Sequence, residues 1–297
     1  MPGLRDIKRR RDSVRNTRKI LYAMKLISAA KLRKTQEAVQ RSGEYTAALN
    51  SLLRDLTAEI DTTQISHPLM QTRSEIKTIT VLVVGANRGL CGGYNAILGR
   101  SIESFVAEQG RKHPGAKLDL RILGKKPAEY CRRKRREYSS AVEDLSDDVS
   151  RWPLEETCQS LEADFLAGRT DEVWMIYTKF KSAISMKPVA ERLFPMEQNT
   201  ESPTSQEQTG SRGTILFEPS ARAVFESLVP RLIRTKIRQG SLDAKTSEHG
   251  SRMVAMDNAT KNADEVAQKL TIYYNKERQR AITAELLDIV GGAEAIS

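Results

Sequence analysis

The N-terminal part of the chain carries a narrow apolar stripe at helical spacing. No proline lies between Pro2 and Pro68, and apolar residues recur at separations of three, four and seven. The stripe comprises Ile7, Val14, Leu21, Met24 and Ile27, and later Tyr45, Leu49, Leu52, Leu56 and Ile60. A stripe this narrow is typical of a coiled coil, and it predicts a helix over residues 1–62.

The C-terminal part has the same character. No proline follows Pro230, and a second stripe comprises Met253, Met256, Thr260, Ala263, Ala267, Leu270 and Tyr274. A further apolar set follows at Ile282, Leu286, Ile289 and Val290. The pattern predicts a helix over residues 221–297. Since a long helix with a narrow stripe needs a partner, we expect the two terminal helices to pair as an antiparallel coiled coil.

The middle of the chain, residues 75–220, predicts an α/β body. Strand patterns occur at Thr78–Val84, Leu118–Leu123, Glu172–Thr178, Ile184–Val189 and Thr214–Phe217. Helix patterns occur at Tyr94–Gln109, Lys125–Arg136 and Leu154–Ala167. The polar segment Glu197–Gly213 predicts a flexible insert. The fold class is therefore α/β, with a long antiparallel coiled coil of the terminal helices and an inserted Rossmann-like domain.

The charge of the chain is concentrated at its start. Charged residues make up 29% of the chain and aromatic residues 5%, which favours much exposed helix around a limited globular body. The first 35 residues hold twelve Lys or Arg and two acids, and so carry the whole net charge of +10. The basic runs Lys8–Arg11 and Arg132–Arg136 leave a nucleic-acid-binding protein as one hypothesis. A helix inserted into a protein cavity would have the same features.

Evidence for an enzyme is weak. The loop Gly85–Gly93 follows a strand and precedes a helix, but it matches neither the P-loop nor the dinucleotide pattern. The isolated side chains of reactive type are Cys91, Cys131, Cys158, His67, His113 and His249. We therefore predict no catalytic, cofactor-binding or metal-binding residues, and free thiols in a reducing compartment. A small Rossmann-like enzyme with helical extensions stays an alternative.

Four separated segments resemble the gamma subunits of F-type ATP synthases. They are Ser13–Arg33, Arg88–Asn95, Glu172–Phe180 and Ser247–Asn262. The family pattern I-T-x-E-x-x-D/E-x-x-x-G-A is matched by Ile282, Thr283, Glu285, Asp288, Gly292 and Ala293. The resemblance spans nearly the whole chain in the expected order.

The resemblance implies a non-catalytic central-stalk rotor. Its partners would be the alpha and beta subunits of the hexamer, the epsilon subunit and the c-ring of the membrane sector, without nucleic acid or a cofactor. The implied beta-subunit contacts are Met24, Lys25, Arg252, Arg278, Gln279, Thr283 and Glu285. The implied bearing residues are Leu286, Leu287, Ile289 and Val290.

The resemblance also implies a location. The longest apolar run, Thr78–Ala86, is far too short to cross a bilayer, so we expect no direct membrane insertion. The N-terminus lacks a secretory or transit pattern, which suggests a bacterial protein. The chain would lie peripherally on the cytoplasmic side of the inner (plasma) membrane. Proton and sodium coupling, and net synthesis or hydrolysis, are left open.

Overall fold

The computed structural model describes residues 3–59, 67–183, 185–196, 218 and 220–294. The helices are α1 Leu4–Glu59, α2 Tyr94–Lys112, α3 Lys125–Arg133, α4 Leu154–Leu166 and α5 Ala221–Glu294. The strands are β1 Thr78–Val84, β2 Lys117–Leu123, β3 Ser140–Val142, β4 Glu172–Ser182 and β5 Ser185–Phe194. Ile60, the predicted insert Glu197–Gly213 and the predicted strand Thr214–Phe217 lie outside the described residues.

The chain divides into two compact units. The terminal unit combines residues 1–30 with residues 252–297, and the body unit spans residues 31–251. Both long helices contribute to both units. The predicted domain bounds at 1–62, 75–220 and 221–297 stay a prediction.

The body is built on a mixed five-stranded sheet in the order β3-β2-β1-β4-β5. Strands β1, β2, β3 and β4 pair in parallel, and β5 pairs antiparallel with β4. The parallel pairs need crossovers, which α2, α3 and α4 supply. The predicted α/β body is confirmed, and β4 runs four residues beyond the predicted Thr178.

The central strand β1 is covered on both faces. Ile79, Val81 and Val83 share one buried cluster with residues of α2 and α3. Leu82 and Val84 share another with residues of α1, α4 and α5. Successive side chains of a strand point to opposite faces, so one apolar run supplies two cores.

Helix α5 packs closely on the sheet within the body. A Cβ atom on Gly240 would lie 2.7 Å from Met175 Cε, so only glycine permits this approach without displacing the methionine. The ten residues 241–250 that follow are all buried. The Ser247 hydroxyl donates to the Thr178 carbonyl of β4 at 3.0 Å, which fixes α5 against the sheet.

In the terminal unit, α1 and α5 run antiparallel, as predicted. Arg18 Nε lies 2.6 Å from Asp264 Oδ1, and Lys25 Nζ lies 2.6 Å from Asp257 Oδ1. Positions rise along α1 as they fall along α5. This order of contacts requires opposite chain directions.

Two residues of the predicted α1 stripe are misassigned. Ile27 is 56% exposed and Tyr45 is 52% exposed, whereas Ser28 is 3% exposed. The sevenfold spacing that starts at Ile7 continues through Ser28, and through Thr35 and Ser42 to Leu49. Apolar character alone does not identify these positions, because the buried line of the helix passes through small hydroxyl residues.

Candidate contact surface on the terminal helices

The end of α5 extends beyond its partner helix. The Arg11 guanidinium lies 5.1 Å from the centroid of the Tyr274 ring, which aligns the two helices at that level. Helix α1 begins at Leu4, two turns before Arg11, and therefore reaches only to about position 281 of α5. The rest of α5 has no α1 residue opposite it.

This last stretch exposes large apolar side chains. Leu286 is 57% exposed, Leu287 66%, Ile289 68% and Val290 61%. Neighbouring residues of a helix are about 100° apart, so these four side chains point in several directions. We call them the apolar tip. A cluster of exposed apolar residues marks a surface that another chain covers.

The four polar residues predicted next to the tip are all exposed: Arg278, Gln279, Thr283 and Glu285. The Thr283 hydroxyl donates to the Gln279 carbonyl at 2.9 Å and so stays within its own helix. The Arg278 guanidinium makes no hydrogen bond or ion pair with any residue in the described ranges. Its neighbour Arg280 is paired with Glu277 at 2.9 Å. Arg278 therefore keeps its donors available for another chain.

The other predicted contacts are more covered. Met24 is half-buried and Arg252 is 7% exposed. The ion pair with Asp257 raises the pKa of Lys25, and the hydrogen bond from Lys25 lowers the pKa of Asp257. The structure thus separates an exposed group near the tip from a covered group farther along the helix pair.

Some exposed residues of α1 were missed by sequence reasoning. Ile20 is 61% exposed and Leu26 is 52% exposed, in addition to Ile27. All three lie off the buried line that runs from Ile7 through Leu21 and Ser28. Large apolar residues off that line in a charged helix were the available signal for a surface that contacts another chain.

The glycine-rich loop at the end of β1 is held by α5. In open α/β sheets, ligands bind at the carboxyl ends of the strands, between two neighbouring strands whose crossover connections run in opposite directions. In this sheet that position lies between β1 and β4. The Tyr94 hydroxyl donates to the Ala244 carbonyl at 3.1 Å, and the Ser251 hydroxyl donates to the Cys91 carbonyl at 2.7 Å. These contacts favour a structural role for the loop.

The described residues offer neither a metal-binding cluster nor a membrane-spanning helix. They contain no group of three or more His, Cys, Asp or Glu that could hold a metal ion. Among their helices, none is long and apolar enough to cross a membrane.

The chain matches a family model described as ATP synthase over residues 3–296. It is 41% identical to the ATP synthase gamma chain of Moorella thermoacetica, covering 100% of both chains. It is 38% identical to the ATP synthase gamma chain of Anaeromyxobacter sp. strain K, again over 100% of both.

Solved structures share the fold. A chain of the Euglena gracilis mitochondrial ATP synthase (OSCP/F1/c-ring) aligns with a TM-score of 0.63 at 16% identity, over 99% of this chain and 94% of that one. A chain of the Tetrahymena thermophila mitochondrial ATP synthase (central stalk/c-ring) aligns with a TM-score of 0.57 at 18% identity, over 81% and 99%.

Paired terminal helices, an inserted α/β sheet and an exposed apolar tip define a stalk-type subunit, a protein that works through contacts with other chains. The match over nearly the full length makes the assignment specific. This chain belongs to the ATP synthase gamma chain family.

Proposed function

We propose that this chain is the central-stalk rotor subunit of an F-type ATP synthase. It couples ion flow through the membrane ring to ATP synthesis or hydrolysis in the beta subunits by rotating inside the alpha/beta hexamer. The chain itself is non-catalytic. The observation that carries the proposal is the antiparallel helix pair with its exposed apolar tip, in a chain that matches gamma chains from end to end.

A helix pair suits this task because it is asymmetric. It presents different side chains in different directions, so chemically identical beta subunits around it receive different contacts. Only differential contacts shift a conformational equilibrium, and a change of about 10⁴-fold requires roughly 5.5 kcal/mol. A few charge-assisted hydrogen bonds of about 1.5–3 kcal/mol each supply this amount.

The polar residues near the tip are the proposed source of those bonds. Arg278 and Gln279 would bind the catch loops of the beta subunits, with Thr283 and Glu285 nearby. Their exposure within the described residues supports this role. Met24, Lys25 and Arg252 would respond to the moving beta domains, and the Lys25–Asp257 ion pair would distribute the load over both helices.

The apolar tip is the proposed bearing. A rotating shaft needs contact without directional bonds that resist turning. Leu286, Leu287, Ile289 and Val290 offer area without hydrogen-bond donors or acceptors on their side chains.

The body unit would rest on the epsilon subunit and the c-ring. The complex would be attached peripherally to the cytoplasmic side of a bacterial inner membrane, without membrane insertion by this chain. Neither nucleic acid nor a cofactor is part of the proposal. The basic run at the end of α3 supports this, since Arg132 pairs with Glu143 at 2.5 Å and Arg136 pairs with Glu103 at 2.6 Å.

Affinity capture of the full chain from its native membrane fraction tests the proposal. We expect alpha and beta subunits in equal amounts, each in excess over this chain, together with epsilon and c subunits. Quantitative mass spectrometry of the captured material measures the ratios. Recovery of nucleic acid in place of these subunits would reject the rotor assignment and favour the nucleic-acid-binding alternative.

A further inference from the structure

The body unit contains a groove to which the proposed rotor function assigns no role. Its walls are residues 34–45 of α1, residues 148–155 before and within the start of α4, and residues 234–242 of α5. The groove is partly open to solvent and offers a volume of about 770 Å³. Small-molecule sites generally measure about 300–1,000 Å³, so the groove can hold a ligand of nucleotide size.

Basic side chains dominate the lining. The charged residues of the groove are Lys34, Arg41, Arg234, Arg238, Asp148 and Glu155. Both acidic groups have partners within the body: Glu155 lies 3.0 Å from Arg234, and Asp148 accepts from the Ser150 amide at 3.0 Å and hydroxyl at 2.8 Å. The remaining excess of positive charge favours an anionic ligand.

Two arginines on different helices carry this excess. Arg41 lies on α1 and Arg238 on α5, and both side chains line the groove. Neither guanidinium makes a hydrogen bond or ion pair with a residue that the structure describes. A guanidinium presents parallel N–H donors that match two phosphate oxygens, so two arginines on facing helices suit a ligand with more than one phosphate.

The groove also has an aromatic, apolar interior. Trp152 is 7% exposed and Leu242 is 7% exposed, and both belong to the lining. The Trp152 indole N–H donates to the Ser146 carbonyl at 2.8 Å, which fixes the ring. Tyr45, 52% exposed, adds an accessible aromatic ring on which a base can stack.

We propose that this groove binds a polyphosphate anion, with Arg41 and Arg238 holding the phosphates. The shared chemistry is a diphosphate group, which a nucleoside diphosphate or free pyrophosphate would supply. The inference goes beyond the rotor function and does not depend on it, because every lining residue belongs to the body unit.

The test uses the full chain carrying Trp174→Phe, since Trp152 is then the only tryptophan of the two in the chain. Pyrophosphate is titrated while Trp152 fluorescence is recorded, and calorimetry gives the affinity independently. We expect saturable binding that Arg41→Ala with Arg238→Ala weakens at least about tenfold, because hydrogen bonds to charged groups are lost. Higher salt should weaken it as well.

The matched control is Arg33→Ala with Arg231→Ala. It removes the same charge from the same two helices, at exposed positions outside the groove. Its pyrophosphate affinity should equal that of the parent chain. Equal losses in both double variants would show non-specific charge attraction and overturn the proposal.

ADP distinguishes the two sources of a diphosphate. If ADP binds more tightly than pyrophosphate and Tyr45→Leu removes the difference, the ligand is a nucleotide. Equal affinities identify the diphosphate group alone. Absence of saturable binding by either probe overturns the proposal, and so does binding of a poly-glutamate peptide alone, which would assign the groove to an acidic protein segment.

A second measurement uses the assembled complex, so that the test does not depend on the free chain keeping its fold. Pyrophosphate should slow amide hydrogen exchange in residues 31–45 and 146–155, and the Arg41→Ala, Arg238→Ala variant should abolish this protection. Unchanged exchange in the parent complex would count against the site.

Discussion

Helix α5 contains a buried segment made mostly of polar residues and an exposed segment rich in apolar residues. Residues 241–250 are all buried, although seven of the ten are polar or charged. Leu286, Leu287, Ile289 and Val290 are all more than half exposed. Hydrophobicity therefore does not decide burial in these two segments, and each needs its own explanation.

The buried segment is stabilised inside the chain. Lys245, 4% exposed, lies 3.0 Å from Asp147 and 3.1 Å from Glu248. Lys31 of α1 also pairs with Asp147. Burial alone would raise the pKa of Asp147, but the two ammonium groups hold it well below its usual range. The apolar tip has no comparable internal contacts among the described residues, which suits the bearing surface proposed for it.

Removing the central cation of the buried network should have the largest effect. Lys245→Ala leaves Glu248, whose side chain is 3% exposed, without this partner. We expect a loss of about 3–5 kcal/mol in the free energy of unfolding of the body, because Glu248 and Asp147 both lose the buried ammonium group that they share. Urea unfolding followed by tryptophan fluorescence measures it, since Trp152 and Trp174 both belong to the body unit.

Two variants show whether that loss comes from the buried charge. Lys245→Met with Glu248→Gln removes both charges and should recover much of the stability. Lys261→Ala removes an exposed α5 lysine whose side chain is 70% exposed, and should leave the body unchanged. A similar loss in all three variants would contradict the explanation.

Asp243 in the same segment should make stability depend on pH. Burial raises the pKa of this carboxyl to about 6, although the Phe180 amide and the side chains of Lys179 and Gln239 oppose the shift. The folded state then binds the proton more tightly than the unfolded state. This contribution is favourable at low pH and is lost as pH rises from about 4 to about 6, with a magnitude on the order of 2–3 kcal/mol.

Asp243→Asn isolates this contribution. The free-energy difference between variant and parent should shift in favour of the variant from pH 4 to pH 7. Asp164 is a control for which the opposite pH dependence of stability is expected. Burial would raise the pKa of Asp164, but Arg121 and Arg169 lower it, so Asp164→Asn should lose stability relative to the parent as pH rises through the acid range to about 4. A flat difference curve for Asp243→Asn would reject the assignment.

The exposed residues near the tip are tested through the coupling of ATP synthesis to the ion gradient. Arg278→Ala with Gln279→Ala should reduce ATP synthesis driven by an ion gradient at least about tenfold, if these side chains bind the beta subunits by charge-assisted hydrogen bonds. The unfolding curve of the chain should not change. Arg280→Ala, whose guanidinium pairs with Glu277, is the matched control and should keep most of the activity. Synthesis at the parent rate in the double variant would refute these contacts.

Helices and strands whose apolar residues are regularly spaced can be predicted from the sequence. Strand β1, helix α2 and the antiparallel terminal helices follow from apolar periodicity, and all are confirmed. Periodicity fails where small polar residues take buried positions. Ser28 replaces Ile27 on the buried line of α1 for this reason, and residues 241–250 show no apolar stripe at all.

The candidate site was predictable only in part. The roles proposed for Arg278 and Gln279 rest on family resemblance, since an exposed Arg-Gln pair has no pattern of its own. The ion pairs of Lys25 with Asp257 and of Lys245 with Asp147 join residues more than 90 positions apart in the chain. Which charges meet across such distances depends on the register of the packed helices, which composition does not specify.

The smallest effect on stability is expected at the apolar tip. Leu287→Ser with Ile289→Ser changes side chains that are 66% and 68% exposed. The free energy of unfolding of the chain should change by less than about 0.5 kcal/mol per substitution, as for other surface sites. Self-association of the free chain, measured by light scattering, should decrease because exposed apolar area is removed.

In the assembled enzyme the same variant should release the rotor more readily, because the covering surface loses its apolar partner. A large fall in the stability of the free chain would show that the tip packs within the chain, and would make the two segments of α5 alike.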